Sequence, residues 1–204
     1  MAKSSSTRQK ILEAAFQIFS SKGYVGTTTR EIAQQAEVAE VTLFRHFTNK
    51  ATLLTELVRS YSSIPILTEL MPELQCMPYR NAVELLAIKF IEHLDVNWKW
   101  IQIVNREMQQ APETEHHQYT LLINELFDIL SVFFQQAQQR GDVRADIKPE
   151  HMARGFHCMM YGFYHVESMF DATAGLTPER RELLESFILL FCKSSKIKLT
   201  ENVV

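Results

Sequence analysis

Glycine and proline are scarce, six of each in 204 residues, which is about half their usual share and argues against collagenous, disordered or turn-rich all-β chains. Cysteine is scarce as well. Cys76, Cys158 and Cys192 are odd in number, far apart and without C-x-x-C spacing, so neither a disulfide framework nor a zinc knuckle is indicated. No stretch approaches the ~18 consecutive apolar residues of a membrane span, and the start Met1-Ala2-Lys3-Ser4-Ser5-Ser6 carries no apolar signal core. A soluble protein of the reducing cytoplasm, without a membrane partner, is therefore expected. Positive charge is not in excess either: 24 Asp and Glu against 21 Lys and Arg give a net charge of −3. That balance excludes binding of polyanions by bulk charge, so any nucleic acid must be met by a local surface.

What the chain does have is apolar content, 46% of residues, arranged at helical rather than strand spacing. The expected fold class is all-α. Charge divides unevenly, with 7 basic and 4 acidic groups in residues 1–50 and 14 basic and 20 acidic in residues 51–204. The two parts should meet different partners, which suggests an N-terminal domain over 1–50 and a second helical domain over 51–204.

In the first part, Ser6 can cap a helix in which Ile11, Leu12, Ala15, Phe16 and Phe19 recur on one face, and Lys22-Gly23 ends it. Thr28-Thr29-Arg30-Glu31 reads as a capping box opening a second helix at about 29–36. A third, about 40–47, buries Leu43 and Phe47 one turn apart, leaving Glu40, Val41, Thr42, Phe44, Arg45 and His46 to point elsewhere. Thr48 can cap a fourth running from Asn49-Lys50 to about Ser60. Three prolines, Pro65, Pro72 and Pro78, predict interrupted helix over 62–79. Beyond them the spacing predicts helices near 80–95, 98–110 and 114–139, one from Pro149 to about Phe170, and a last one capped by Thr177-Pro178-Glu179.

A three-helix unit with a short turn between its second and third helices suits major-groove recognition, because an α-helix fits that groove and the preceding helix braces it. The residues carry this further. Phe16-Gln17-Ile18-Phe19 through Gly23-Tyr24, Thr27-Thr28-Thr29-Arg30-Glu31-Ile32-Ala33, Ala36-Glu37-Val38, Thr42-Leu43-Phe44-Arg45-His46-Phe47 and Asn49-Lys50 together resemble the tetracycline-repressor (TetR) family over about residues 7–57. The resemblance implies a one-component transcription regulator, usually a repressor, that binds double-stranded operator DNA as a homodimer and releases it when a small molecule occupies the C-terminal domain. Carried over by position, Arg30, Glu40, Val41, Thr42 and Arg45 would face base edges, and Thr28, Phe44, His46 and Lys50 would lie near phosphates. Arg30 has the fork that holds guanine O6 and N7, and Glu40 could accept from a cytosine amino group. Three positions depart from the family's pattern. Glu37 stands where the turn usually has Gly, which implies either a residue tolerating the turn at some conformational cost or a slightly different turn. Ala39 replaces the usual capping Ser, and Phe44 stands where Tyr is common.

In the second part Met152, Phe156, Met159 and Phe163 form a stripe, interrupted by Gly155 and Gly162, each of which forfeits about 1 kcal/mol of helix propensity. Close approach of another helix would explain both glycines. The last helix carries Leu183, Leu184, Phe187, Ile188 and Phe191. Pairing the two helices with their mates would form a four-helix dimer interface through Gly155, Met159, Gly162, Phe163, Leu184, Phe187 and Phe191; an intramolecular core is the alternative. Phe90, His93, Trp98, Ile101, Asn105, Asn124, Phe127, Met160 and Tyr164 could line an effector cavity, which would favour an apolar or aromatic molecule. Which of Trp98 and Trp100 turns inward is left open. His116-His117 and His151, His157 and His165 do not converge on a metal, since spacings of six and eight along one helix point apart. No Gly-rich phosphate loop, nucleophile elbow or paired-carboxylate cleft is present. No metal, cofactor or catalysis is expected. The alternatives in other classes are a helical protein-interaction module and a ligand-carrying protein, both without DNA binding.

Overall fold

The computed structural model describes residues 6–110, 112–170 and 175–196. Among these the chain forms nine helices and no strand: α1 Thr7–Lys22, α2 Thr29–Gln35, α3 Glu40–His46, α4 Lys50–Ser60, α5 Ile64–Cys76, α6 Tyr79–Gln110, α7 Glu113–Gln139, α8 Pro149–Phe170 and α9 Pro178–Ser195. They form two compact units that do not follow chain order. The first unit takes the chain through Ser62 together with Trp98–Leu122, and the second takes Ser63–Asn97 and the chain from Ile123 onward. The expected division at residue 50 thus falls at the start of α4, and α6 and α7 each contribute to both units.

Local chemistry sets the helix ends in the first unit. Ser6 accepts from the Gln9 amide, and Thr28 and Glu31 form the reciprocal capping box. At α4 the cap is Asn49 rather than the expected Thr48: its side-chain oxygen accepts from the Thr52 amide at 2.8 Å. Asn at this position satisfies one of the free amides of the first turn as well as Thr would. Ile11, Leu12, Ala15 and Phe19 of α1, Ile32 and Ala33 of α2, Leu43 and Phe47 from α3, and Leu53, Leu54 and Leu57 of α4 are all buried, so the apolar periodicity of the first part becomes one core.

Two sequence expectations are corrected. Over residues 62–79 the helix is interrupted at Met77-Pro78, as expected, but not at Pro72, which α5 runs through. Pro65 sits in the first turn, where a missing N–H matters least, and Pro72 lies on the exposed side while Ile64, Leu67 and Leu74 bury the other. Packing of that face outweighs the one lost backbone bond. The break expected near 96–97 is also absent, and α6 is a single helix of 32 residues. Asn97 stays helical with its side-chain amide donating to the His93 carbonyl at 2.9 Å, a bond that fits inside a helix.

The second unit is built on aromatic rings. Phe134 meets Phe133, Phe156 and Phe191 at centroid distances of 5.1, 6.2 and 5.7 Å, and Tyr79 stacks on Phe133. Tyr79 and Ser195 close this core with a buried hydroxyl pair at 3.0 Å. Phe163, Leu184 and Phe191, which the sequence suggested for a dimer interface, are buried within the chain itself. Met159, Gly162 and Phe187 are half-buried and Gly155 is exposed.

Candidate nucleic-acid interface

The second and third helices of the first unit meet in a tight turn that passes through Glu37, whose φ of 56° lies in the left-handed region. The first of the two readings of the missing glycine therefore holds: a non-glycine residue occupies the turn, at a strain of about 1 kcal/mol. Ala39 precedes α3 without any side-chain cap bond, as expected from its methyl group. With Leu43 and Phe47 turned inward, α3 presents Val41, 70% exposed, Phe44, 46% exposed, and the exposed Arg45 and His46. Thr42 is half-buried, and Arg30 on α2 and Thr28 at its cap are exposed.

Besides Thr28, whose hydroxyl is held in the capping box with Glu31, two members of the expected DNA-facing set are engaged within the unit. The Thr29 hydroxyl donates to Glu40 Oε1 at 2.7 Å, so the α3 carboxylate is tied to the start of α2. Lys50 Nζ donates to the carbonyl oxygens of Tyr24 and Thr27, both at 2.9 Å, and lies 4.3 Å from the Tyr24 ring centroid. Burial lowers the Lys50 ammonium below its ordinary pKa while Glu115 acts in the opposite direction. Lys50 therefore serves the α1–α2 turn, a role that sequence reasoning missed because both partners are backbone atoms.

The same turn is held from its other side. The Tyr24 amide donates to Glu107 Oε2 of α6 at 2.7 Å, and its hydroxyl donates to Glu115 Oε1 of α7 at 2.9 Å. Burial and the Glu115 carboxylate both push the Tyr24 phenol well above its ordinary range, so it stays a neutral donor. Phe16 stacks with Tyr61 and meets Trp100 at 4.9 Å, and Trp100 is the buried tryptophan of the pair while Trp98 is half-buried. The headpiece helices are thus fixed to the 98–122 parts of α6 and α7 by an aromatic cluster and two carboxylates. Neither Glu107 nor Glu115 carries a sequence signal, because these bonds span 83 and 91 residues.

Residues 11–57 match the family described as bacterial regulatory proteins, tetR family, and residues 89–194 match the AefR-like transcriptional repressor C-terminal domain. The chain belongs to the TetR family. YvkB of Bacillus subtilis, an uncharacterized HTH-type transcriptional regulator, is 29% identical over 190 residues, 92% of this chain and 96% of that protein. Among solved structures, the transcriptional regulator FadR from Bacillus subtilis, in complex with stearoyl-CoA, superposes with a TM-score of 0.72 at 17% identity, covering 90% of this chain and 97% of that one. The fatty acid degradation regulator FadR from Bacillus halodurans gives 0.74 at 15% identity, covering 94% and 97%. These two likenesses are of fold. As a TetR-family member the protein is a transcription regulator with a DNA-binding helix-turn-helix, and it is not an enzyme.

The residues expected to line a cavity in this TetR-family chain fall in both units. Trp98, Ile101 and Asn105 belong to the first, where Asn105 accepts from the Tyr119 hydroxyl at 3.0 Å. The other six belong to the second. Phe90 and Phe127 are buried and flank His157 edge-on at 5.4 and 5.2 Å, and Met160 is fully buried. The Tyr164 hydroxyl donates to Asp95 at 2.7 Å, His93 is half-buried beside Asn97, and Asn124 is exposed. Burial, with the charge of Arg154 adding to it, holds the His157 pKa down at about 4, so at neutral pH this ring is an uncharged part of the aromatic cluster. No group of three or more His, Cys, Asp or Glu among the described residues could hold a metal ion, and no helix among them is long and apolar enough to cross a membrane.

Proposed function

We propose that the protein is a one-component repressor that binds palindromic operator DNA as a homodimer and is released by a small apolar or aromatic effector. The observation that carries this reading is the solvent-facing side of α3, where Val41, Phe44, Arg45 and His46 stand exposed on a helix whose opposite side is buried. Arg30 and Arg45 supply hydrogen-bonding forks to base edges or phosphates, Val41 and the Thr42 methyl suit a thymine methyl, and Thr28, Phe44 and His46 lie against the backbone. Lys50 and Glu40 act on DNA through the turn and the helix that they hold. Within the second unit Phe90, Phe127, Met160 and Tyr164, with His93 and Asn124, remain the proposed effector set. The stearoyl-CoA held by the B. subtilis FadR structure supports an apolar chain as one class of effector.

The homodimer reading is supported by the glycines of α8. A Cβ built on Gly155 or Gly162 meets nothing within 4 Å in the chain, so no intramolecular neighbour requires their small size. Leu183 and Leu190 on α9 and Val166 on α8 are exposed by 41%, 62% and 47%. A second copy laid on this face would cover them and approach α8 closely. Selection of duplexes from a random pool by the full-length protein, followed by titration of the enriched duplex at several salt concentrations, tests the reading. Enrichment of a two-fold-symmetric sequence with steep salt dependence supports it. Enrichment of nothing leaves the helical interaction module or ligand carrier. An effector that releases DNA must bind the DNA-incompetent state more tightly, and operator must then weaken effector binding by the same factor, typically 5–150-fold.

A further inference from the structure

The start of a recognition helix is ordinarily fixed by its turn and its cap, and here the turn is strained and the cap has no side-chain bond. The turn enters α3 through a non-glycine residue at positive φ, Glu37, and the cap position holds Ala39, which has no side-chain oxygen. The first turn of α2 is by contrast held firmly. Thr28 and Glu31 form the capping box, and Glu31 also receives Lys22 Nζ from the end of α1 at 2.7 Å. Between that anchored turn and the first residue of α3 runs one side-chain bond, from Thr29 Oγ1 to Glu40 Oε1 at 2.7 Å, partly buried. Thr29 and Glu40 are each the first helical residue of their elements.

We infer that Glu40 is a positioning residue whose bond to Thr29 sets the pose of α3, and that it does not read a base. This inference rests on the DNA-binding reading for its consequence and on the hydrogen bond itself for its geometry. A carboxylate at this place suits the positive end of the α3 dipole. Held by Thr29, it has an oxygen engaged within the protein, and a bond to a charged acceptor is stronger than one between neutral groups. The linkage Lys22, Glu31, Thr28-Thr29, Glu40 then joins α1, α2 and α3 through side-chain bonds and the one peptide between Thr28 and Thr29. It supplies at the α3 start the constraint that glycine and a capping hydroxyl would otherwise provide.

The test compares Thr29→Val, Thr29→Ser, Glu40→Ala, Glu40→Gln and the Thr29→Val/Glu40→Ala pair in the full chain. Two readouts are needed: affinity for the duplex enriched by wild type against a random duplex, and amide hydrogen exchange of Leu43 and Phe44 in the DNA-free protein. Thr29→Val and Glu40→Ala should each lower the preference for the enriched duplex by about tenfold, the size of one charge-assisted hydrogen bond. The double variant should lose no more than either single one, because only one bond is removed. Thr29→Ser and Glu40→Gln, which keep a donor and an acceptor, should retain most of the preference. The α3 amides should exchange faster in the two bond-breaking variants only. A Glu40→Ala loss confined to duplexes with cytosine at one position, with Thr29→Val unchanged, overturns the inference in favour of base reading. If wild type enriches no duplex the repressor reading fails, and the exchange experiment still decides: unaltered α3 exchange in Thr29→Val removes the positioning role.

Discussion

The Tyr24 amide donates to Glu107 Oε2 at 2.7 Å, and a Cβ on the preceding Gly23 would lie 2.9 Å from that same oxygen. Gly23 therefore does more than end α1. Its φ of 75° and ψ of 168° fall in a region that is essentially glycine's alone, and its bare Cα leaves room for the carboxylate that holds the turn. Gly23→Ala combines backbone strain with displacement of Glu107, and should destabilise the protein by about 2–3 kcal/mol. Glu107→Gln, which can still accept from the Tyr24 amide, should be milder. Denaturant midpoints of the two variants check this, and equal losses would mean that the charge, and not the space, matters at this contact.

The Lys50 cage makes a separable prediction. Lys50→Met keeps the stem over Tyr24 but removes the ammonium donor from the Thr27 carbonyl and from the Tyr24 carbonyl, which keeps only the Thr27 amide, and should reduce stability by about 1–3 kcal/mol. Its salt slope on duplex DNA should match that of wild type, because the ammonium is spent on the turn. A slope smaller by about one unit would instead mark Lys50 as a phosphate contact.

Arg30 and Arg45 should behave differently from Lys50. Alanine at a residue that holds guanine should lose about 1–3 kcal/mol on the enriched duplex and little on a random one, whereas alanine at a phosphate contact should lose equally on both. Neither change should alter the free energy of unfolding by more than ~0.5 kcal/mol, since both side chains are exposed. Equal losses on all duplexes for both would leave sequence reading to Val41 and its neighbours on α3.

The parts of this molecule that could be read in advance are those with local causes. The Thr28–Glu31 box, the stop at Gly23 and the inward faces of α1 to α4 each depend on residues within a few positions of one another, and each is present. The misjudged parts have distant causes. Pro72 is tolerated in α5 because Leu67 and Leu74 bury the opposite face, and local propensity does not register that burial. The Tyr24 hub and the Thr29–Glu40 bond have no periodic signature, because their partners lie on different helices. The dimer stripe was only half separable: Phe163, Leu184 and Phe191 repeat with the same spacing as Met159 and Phe187, and only burial distinguishes the chain's own core from the face left at its surface.

That remaining face can be probed without disturbing the fold. Since a Cβ at Gly155 or Gly162 meets nothing in the chain, Gly→Ala at either site should leave the protomer intact and add up to about 1 kcal/mol of helix propensity. Gly162→Leu should split the dimer by pushing the second α8 away. Analytical ultracentrifugation over a micromolar dilution series, with circular dichroism as the folding control, checks both. A folded wild-type monomer throughout that range would end the homodimer proposal.

His157 gives a pH dependence whose direction is fixed by its surroundings. Burial between Phe90 and Phe127, with Arg154 nearby, lowers its pKa from an ordinary 6.5 to about 4. Between those values the unfolded chain binds a proton that the folded chain refuses, so stability falls as the solution is acidified from pH 6.5 towards 4 and is unaffected by this group above 6.5. The full difference is on the order of 3 kcal/mol. Carboxylates titrate in the lower part of the same range, and the comparison must therefore be with a variant rather than with neutral pH alone. His157→Leu fills the space between the two rings and removes the titrating group. Its urea midpoint should fall less than that of wild type between pH 7 and 4, and the gap should open between pH 6.5 and 5, before most carboxylates take up protons. Parallel curves over that interval would mean that the ring is open to protonation in the folded protein, and that neither its packing against Phe90 and Phe127 nor the Arg154 charge holds its pKa down.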